Sequence, residues 1–229
     1  MRTRVKYCGL VRPQDVDAAV AIGADAVGFV FYGASPRLLD TSTAASLRRR
    51  LPSWVRAVGL FVNESPHAIE MLAREVGLDV IQLHGDETPD EAGVLTRPWW
   101  KALRIGGIDG DSSQPEPTRS IAQSLETYIH AEFCLLDSFS TGYGGSGRSF
   151  DWSLVPSGAG RRLIMSGGLD PDNVGMAIDS IQPFAVDTSS GIQGRDPREK
   201  DLGRMERFME SVRLADGKAG PAPTGSRNQ

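Results

Sequence analysis

The chain is short of cysteine: only Cys8 and Cys134 occur in 229 residues, too few for a disulfide framework. Its three histidines, His67, His84 and His130, are scattered without the spacing of a metal-ligand set. No apolar run is long enough to span a bilayer. Two arginines near the N-terminus precede no apolar segment of the signal-peptide kind. A basic excess is also missing, since the net charge is −4 and the pI about 5.4; nucleic-acid binding gains no support from it. The glycine-rich stretch Gly144-Gly145-Ser146-Gly147 is not followed by the Gly-Lys-Ser/Thr of a nucleotide-binding loop. These absences point to a cytoplasmic protein that works without metal or organic cofactor.

What is present is a 40% apolar content, enough for one sizeable core, and a pattern that repeats. Val5–Cys8 reads as a first strand. Further apolar runs of strand length are Asp25–Phe31, Val55–Val62, Asp79–Leu83, Trp99–Leu103, Glu132–Leu136, Arg162–Met165 and Phe184–Asp187. Helical segments fall between most of them. Pro13–Gly23 starts with proline and ends with glycine, as helices often do. Ser42–Leu51 is stopped by Pro52, and Pro66–Val76 by Gly77. Thr88–Leu95, Arg119–Tyr128 and Asp172–Ile181 follow, and Lys200–Leu214 closes with apolar residues at Leu202, Met205, Phe208, Met209 and Val212. Gly106–Pro117 reads as a loop. Near-continuous apolar strands are those buried on both faces. Eight of them in this length predict an α/β fold, a single-domain (β/α)8 TIM barrel over residues 1–215. An open doubly wound sheet is the runner-up, but Cys8-Gly9-Leu10-Val11 is no dinucleotide-binding turn. Residues 216–229, small, polar and rich in Pro and Gly, read as a disordered tail.

In such a barrel the active site lies at the carboxyl ends of the strands. Strand side chains alternate between faces, so Lys6 and Cys8 point the same way, and a cation there favours the thiolate. The alternative is a small buried residue beside a core lysine. Strand two is followed by Ser35-Pro36-Arg37, strand three by Asn63 and strand six by Asp137. Gln82 and His84 share one face of strand four; His84 either donates to a substrate or fixes a loop. Asp187 points inward, toward a sugar hydroxyl or a buried pair with Lys6 or Lys101. Cys134, Trp99 and Trp100 read as packing. Gly167-Gly168 and Ser189-Ser190-Gly191 fall in the two loops where this fold holds phosphate, because glycine lets backbone N–H groups approach an anion. The alternative is a pair of tight turns.

The segments KYCGL, GADAVGFVF with SPR, VGLFVN, IQLHGDE, LLDS, GGSGRSFDW, SGGLDPDNV and VDTSSGIQ, in that order, resemble those of the phosphoribosylanthranilate isomerase family. The resemblance covers residues 4 to about 203. It implies the Amadori rearrangement of N-(5-phosphoribosyl)anthranilate to 1-(o-carboxyphenylamino)-1-deoxyribulose 5-phosphate in tryptophan biosynthesis, with no cofactor. It also implies Cys8 as general base, Asp137 as general acid and Arg37 as the grip on the anthranilate carboxylate, with a small-molecule phosphosugar as the only partner and a monomer as the working form. Tyr7 stands where an aliphatic residue is more usual and should point away from the barrel lumen.

The chemistry agrees with that assignment. An acid must protonate the furanose ring oxygen to open the ring to a Schiff base, and a base must take the proton from C2. Leu135 and Phe133 share the face of Asp137, an apolar setting expected to raise a carboxyl pKa, while Lys6 is expected to lower that of Cys8. For Asp137 a helix cap or a salt bridge to Lys6 is the competing role. Two other functions remain open at this level. One is a non-catalytic phosphosugar-binding barrel. The other is the histidine-pathway aminoaldose isomerase, whose first aspartate would stand where Cys8 is.

Overall fold

Every apolar run of strand length forms a strand in the computed structural model of the chain, which describes residues 2–106, 120–138 and 150–218. The strands are β1 (Arg4–Cys8), β2 (Ala26–Val30), β3 (Arg56–Phe61), β4 (Val80–Leu83), β5 (Trp99–Ile105), β6 (Phe133–Ser138), β7 (Leu163–Met165) and β8 (Ala185–Thr188). All pair in parallel in sequence order, and β1 pairs with β8 to close the barrel. The register of that closure sets Lys6 opposite Asp187. Every residue of β2, β4, β7 and β8 is buried, because one strand face lines the lumen and the other meets helices.

The helices are α1 (Pro13–Ile22), α2 (Thr41–Arg48), α3 (Pro66–Val76), α4 (Pro89–Gly93), α5 (Ile121–Thr127), α6 (Val174–Ile181) and α7 (Leu202–Lys218). Local chemistry starts them. Asp40 accepts from Thr43 N at 2.8 Å, and Ser65 from Ala68 N at 3.3 Å. Thr88 with Glu91, and Ser120 with Gln123, form reciprocal capping boxes. Each such cap contributes about 0.5–2 kcal/mol. Helices α2 and α4 end earlier than the sequence pattern suggests. Their last turns tighten to bonds three residues back, from Leu51 N to Arg48 O and from Leu95 N to Ala92 O, both 3.1 Å. Among the described residues, two 3-10 turns, Trp152–Leu154 and Ala159–Arg162, precede β7.

The core has two shells. Ala26, Val58, Val80, Trp100, Ala102, Leu135, Ile164 and Ala185 fill the lumen. A larger cluster lies between strands and helices, and it takes Cys134, Trp99 and Tyr7. Tyr7 does point outward: its hydroxyl donates to Met205 O at 2.7 Å, and its ring meets Phe208 edge-on.

Helix α7 starts at Leu202 and runs to Lys218, so the expected tail does not begin at residue 216. Asp216 accepts from both the backbone nitrogen and the hydroxyl of Thr3, at 2.9 and 2.7 Å. That clasp holds the last turn of α7 against the start of the chain. The rest of the tail, the loop at residues 107–117 and the Gly144–Gly147 stretch lie outside the described residues. Among the described residues no helix is long and apolar enough to cross a membrane.

Candidate active site

The strand register dictates the first cluster. Lys6 Nζ bonds Asp187 Oδ1 at 2.9 Å, with both side chains nearly sealed from solvent. Of the two lysines offered as a buried partner for Asp187, Lys6 rather than Lys101 makes the pair, and Lys6 pairs with Asp187 rather than Asp137. Cys8 lies beside Lys6 on the same face, above Gly28 of β2. A Cβ at Gly28 would come within 2.7 Å of Cys8 Sγ and 3.2 Å of Lys6 Cε, so only glycine leaves room there. Burial works against the Lys6 ammonium, but Asp187 and Cys8 outweigh it and leave its pKa raised.

The thiol differs from expectation. Burial pushes its pKa up and Asp187 adds to that; the pull of Lys6 downward is real but smaller, so the net shift is upward. The sequence pattern supplies the cation but not the carboxylate that neutralises it, nor the depth of burial.

A second cluster crosses the lumen. The Gln82 amide nitrogen donates to His84 Nδ1 at 3.0 Å, and His84 Nε2 lies 3.1 Å from Asp137 Oδ2. All three are buried. His84 therefore meets Asp137 directly, and both line the same cleft. The loop behind it is held by Glu87, whose carboxylate accepts from Asn63 N at 2.9 Å, Gly85 N at 3.0 Å and Lys101 Nζ at 2.7 Å. Glu87 was not singled out from the sequence, although a lysine inside apolar β5 signals that some buried acid must match it.

Arg37 reaches over from the loop after β2. Its Nε donates to Pro197 O at 2.9 Å, and Nη2 donates to Gln193 Oε1. Gly167 and Gly168 take left-handed φ angles of 76° and 70°, a conformation glycine adopts without cost. The Ser189 hydroxyl donates to Cys8 O at 3.0 Å, so it ties β8 to β1 and is not free for a ligand. Ser190 opens a 3-10 turn, and Gly191 packs behind the loop against Leu169 O. Lys200, also missed from the sequence, is buried with Nζ 2.8 Å from Ser189 O. Burial and the Arg37 charge pull its pKa down to about 7, against Cys8, Asp15 and Asp187.

Cys8, Arg37, Gln82, His84, Asp137 and Asp187 line one cleft with residues 166–169 and 188–190. Its volume of about 440 Å³ suits one small molecule. Gly191 is not among its lining residues. Among the described residues, no three His, Cys, Asp or Glu side chains gather in a metal-binding group.

Comparison with known proteins bears on what this cleft belongs to. The family model described as N-(5'phosphoribosyl)anthranilate (PRA) isomerase matches residues 5–211. The N-(5'-phosphoribosyl)anthranilate isomerase of Methylibium petroleiphilum is 44% identical over 218 residues, covering 95% of this chain and 97% of the relative. A structure of monomers of the dimeric phosphoribosylanthranilate isomerase of Thermotoga maritima is 34% identical, with a TM-score of 0.76 and coverage of 93% and 99% of the two chains. A phosphoribosylanthranilate isomerase in complex with reduced 1-(o-carboxyphenylamino)-1-deoxyribulose 5-phosphate is 35% identical, with a TM-score of 0.78 and the same coverage. On a family match across nearly the whole described barrel, the chain belongs to the N-(5'-phosphoribosyl)anthranilate isomerase family.

Proposed function

We propose that this chain converts N-(5'-phosphoribosyl)anthranilate to 1-(o-carboxyphenylamino)-1-deoxyribulose 5-phosphate, the isomerase step of tryptophan biosynthesis, with Asp137 as acid and Cys8 as base. The observation that carries the reading is the convergence of a thiol, a carboxyl and a guanidinium on one cleft that is also lined by Gly167-Gly168 and by Ser189-Ser190. The substrate phosphate sits against the backbone N–H groups of Gly167-Gly168 and Ser189-Ser190, with Gly191 supporting the second loop. The anthranilate carboxylate meets Arg37, whose two anchored donors fix the fork while others stay available. Asp137 gives its proton to the furanose ring oxygen, which opens the ring to a Schiff base. Cys8, as thiolate, takes the proton from C2, and the enolamine tautomerises to the ketone. Asp187 holds Lys6 beside the thiol and borders the sugar. Every side chain in this account comes from one chain, so the proposed site needs no residue of a second copy and a monomer would suffice as the working form. Purified protein given the substrate should extinguish its anthranilate fluorescence. A folded protein that leaves the fluorescence unchanged overturns the reading.

The Arg37 assignment makes a separate prediction. Arg37→Ala should weaken productive substrate binding by about 2–4 kcal/mol, the cost of losing one partner of a desolvated charge pair. Arg37→Lys should recover only part, because an ammonium cannot make two parallel bonds to a carboxylate. Competition by a substrate analogue without the carboxylate checks it: wild type and Arg37→Ala should bind it equally. A large difference for that analogue would place Arg37 in loop support instead.

A further inference from the structure

We infer that Gln82 is a positioning residue for the acid: it fixes the tautomer of His84 and so confines the proton of Asp137 to the oxygen on the cleft side. The inference rests on Asp137 being the acid, as proposed above. Gln82 is wholly buried on β4, and its amide nitrogen lies 3.0 Å from His84 Nδ1. A primary amide nitrogen can only donate, so Nδ1 must accept and carries no hydrogen. The neutral ring then has its hydrogen on Nε2, 3.1 Å from Asp137 Oδ2. Oδ2 is thereby an acceptor, and a proton placed on it would face the Nε2 hydrogen. The acid's proton belongs on Oδ1. That oxygen abuts the loop lining the cleft: a Cβ at Gly167 would stand 2.9 Å from it.

The other half of the amide is what marks Gln82 out. Its Oε1 is buried and has no hydrogen-bond partner among the described residues. Turning the amide over would set Oε1 against Nδ1, move the ring hydrogen there, and leave a bare Nε2 facing Oδ2. The acid's proton would then be drawn to Oδ2, away from the substrate. It would also leave two amide hydrogens where the carbonyl now lacks a partner, and an orphaned carbonyl is better tolerated than an orphaned donor. As a strand residue Gln82 is a poor choice, because an apolar side chain would fill the site with no unpaired atom. Its amide N–H on His84 is the contact that justifies a polar residue there.

The test combines a spectroscopic reading with kinetics on the full chain. Long-range proton–nitrogen spectra of 15N-histidine-labelled protein should show His84 with a protonated Nε2 and a bare Nδ1. Gln82→Met keeps the volume and removes the donor. Its His84 should populate both tautomers, and kcat should fall about tenfold or more with KM nearly unchanged, the mark of an interaction made only in the transition state. Its thermal midpoint should stay level or rise. A wild-type His84 protonated at Nδ1 overturns the inference, and so does a Gln82→Met protein that changes tautomer yet keeps its kcat. If Asp137→Asn is inactive while either of those results appears, the inference alone fails. If Asp137→Asn keeps its kcat, the acid assignment fails and the inference falls with it.

Discussion

Cys8→Ala should turn over substrate on the order of 10²–10⁴-fold more slowly than the parent, and Asp137→Asn should lose as much, the usual worth of a positioned base or acid. Both variants should remain folded, since neither side chain takes part in the main apolar shells. The pH dependence separates them. The proposed base would work as a thiolate, and burial, helped by Asp187 and opposed by Lys6 and Lys200, holds that thiol above its ordinary value of 9.0. A raised pKa keeps the protonated form to higher pH. Asp137→Asn leaves the thiol as the titrating group, so its residual kcat/KM should climb with pH through the neutral and into the alkaline range, and Cys8→Ala should show no such climb. Cys8→Ser should be nearly as poor as Cys8→Ala, because a hydroxyl supplies little anion. Near-normal turnover in both single variants would remove this mechanism and leave only the barrel and its cleft.

Lys6→Met is expected to be the most damaging single change to stability. Lys6 and Asp187 are 2% and 5% exposed, so removal of the ammonium strands a carboxylate in the lumen. Breaking a buried pair from one side costs about 3–5 kcal/mol. For a domain of this size that lowers the thermal midpoint by about 6–20 °C. Lys6→Met with Asp187→Leu should regain much of the loss, because neither charge is then buried alone. Urea unfolding of the parent, both single variants and the double variant measures the four corners. A loss below about 1 kcal/mol for Lys6→Met would mean that Asp187 finds another partner or a proton at no cost.

The barrel was legible because eight apolar runs punctuated by Pro, Gly and cap residues need no long-range knowledge to recognise. Parity along each strand also placed Cys8, Gln82, His84, Asp137 and Asp187 on the inner face. What parity cannot give is who meets whom across the ring. The pairing of Lys6 with Asp187 follows from the β1–β8 register, fixed by the two ends of the strand order. The contact of His84 with Asp137 joins β4 to β6 over an intervening strand. Nor could the balance at Cys8 be read: one lysine two residues away looks decisive on paper, yet desolvation outweighs it. Lys200 carried no local signal, since it precedes an amphipathic helix as a surface lysine would. The loop position of Ser189 offers its backbone N–H to phosphate, while its hydroxyl serves the backbone of Cys8, which no local pattern foretells.

The clasp between Thr3 and Asp216 has a bearing on the order of assembly. It joins residues 213 apart, and the Lys6–Asp187 pair beneath it joins residues 181 apart. Contacts of such separation carry the largest loop-closure entropy and form late. During synthesis at about 5–20 residues per second, β1 is made roughly 9–36 s before its β8 partner. It spends that interval with one edge unpaired, a template for wrong strands. Bonds made after the folding barrier act on the rate of opening rather than the rate of closing. The clasp is thus expected to act as a latch, adding little to how fast the ring forms and lengthening the time a finished ring stays shut.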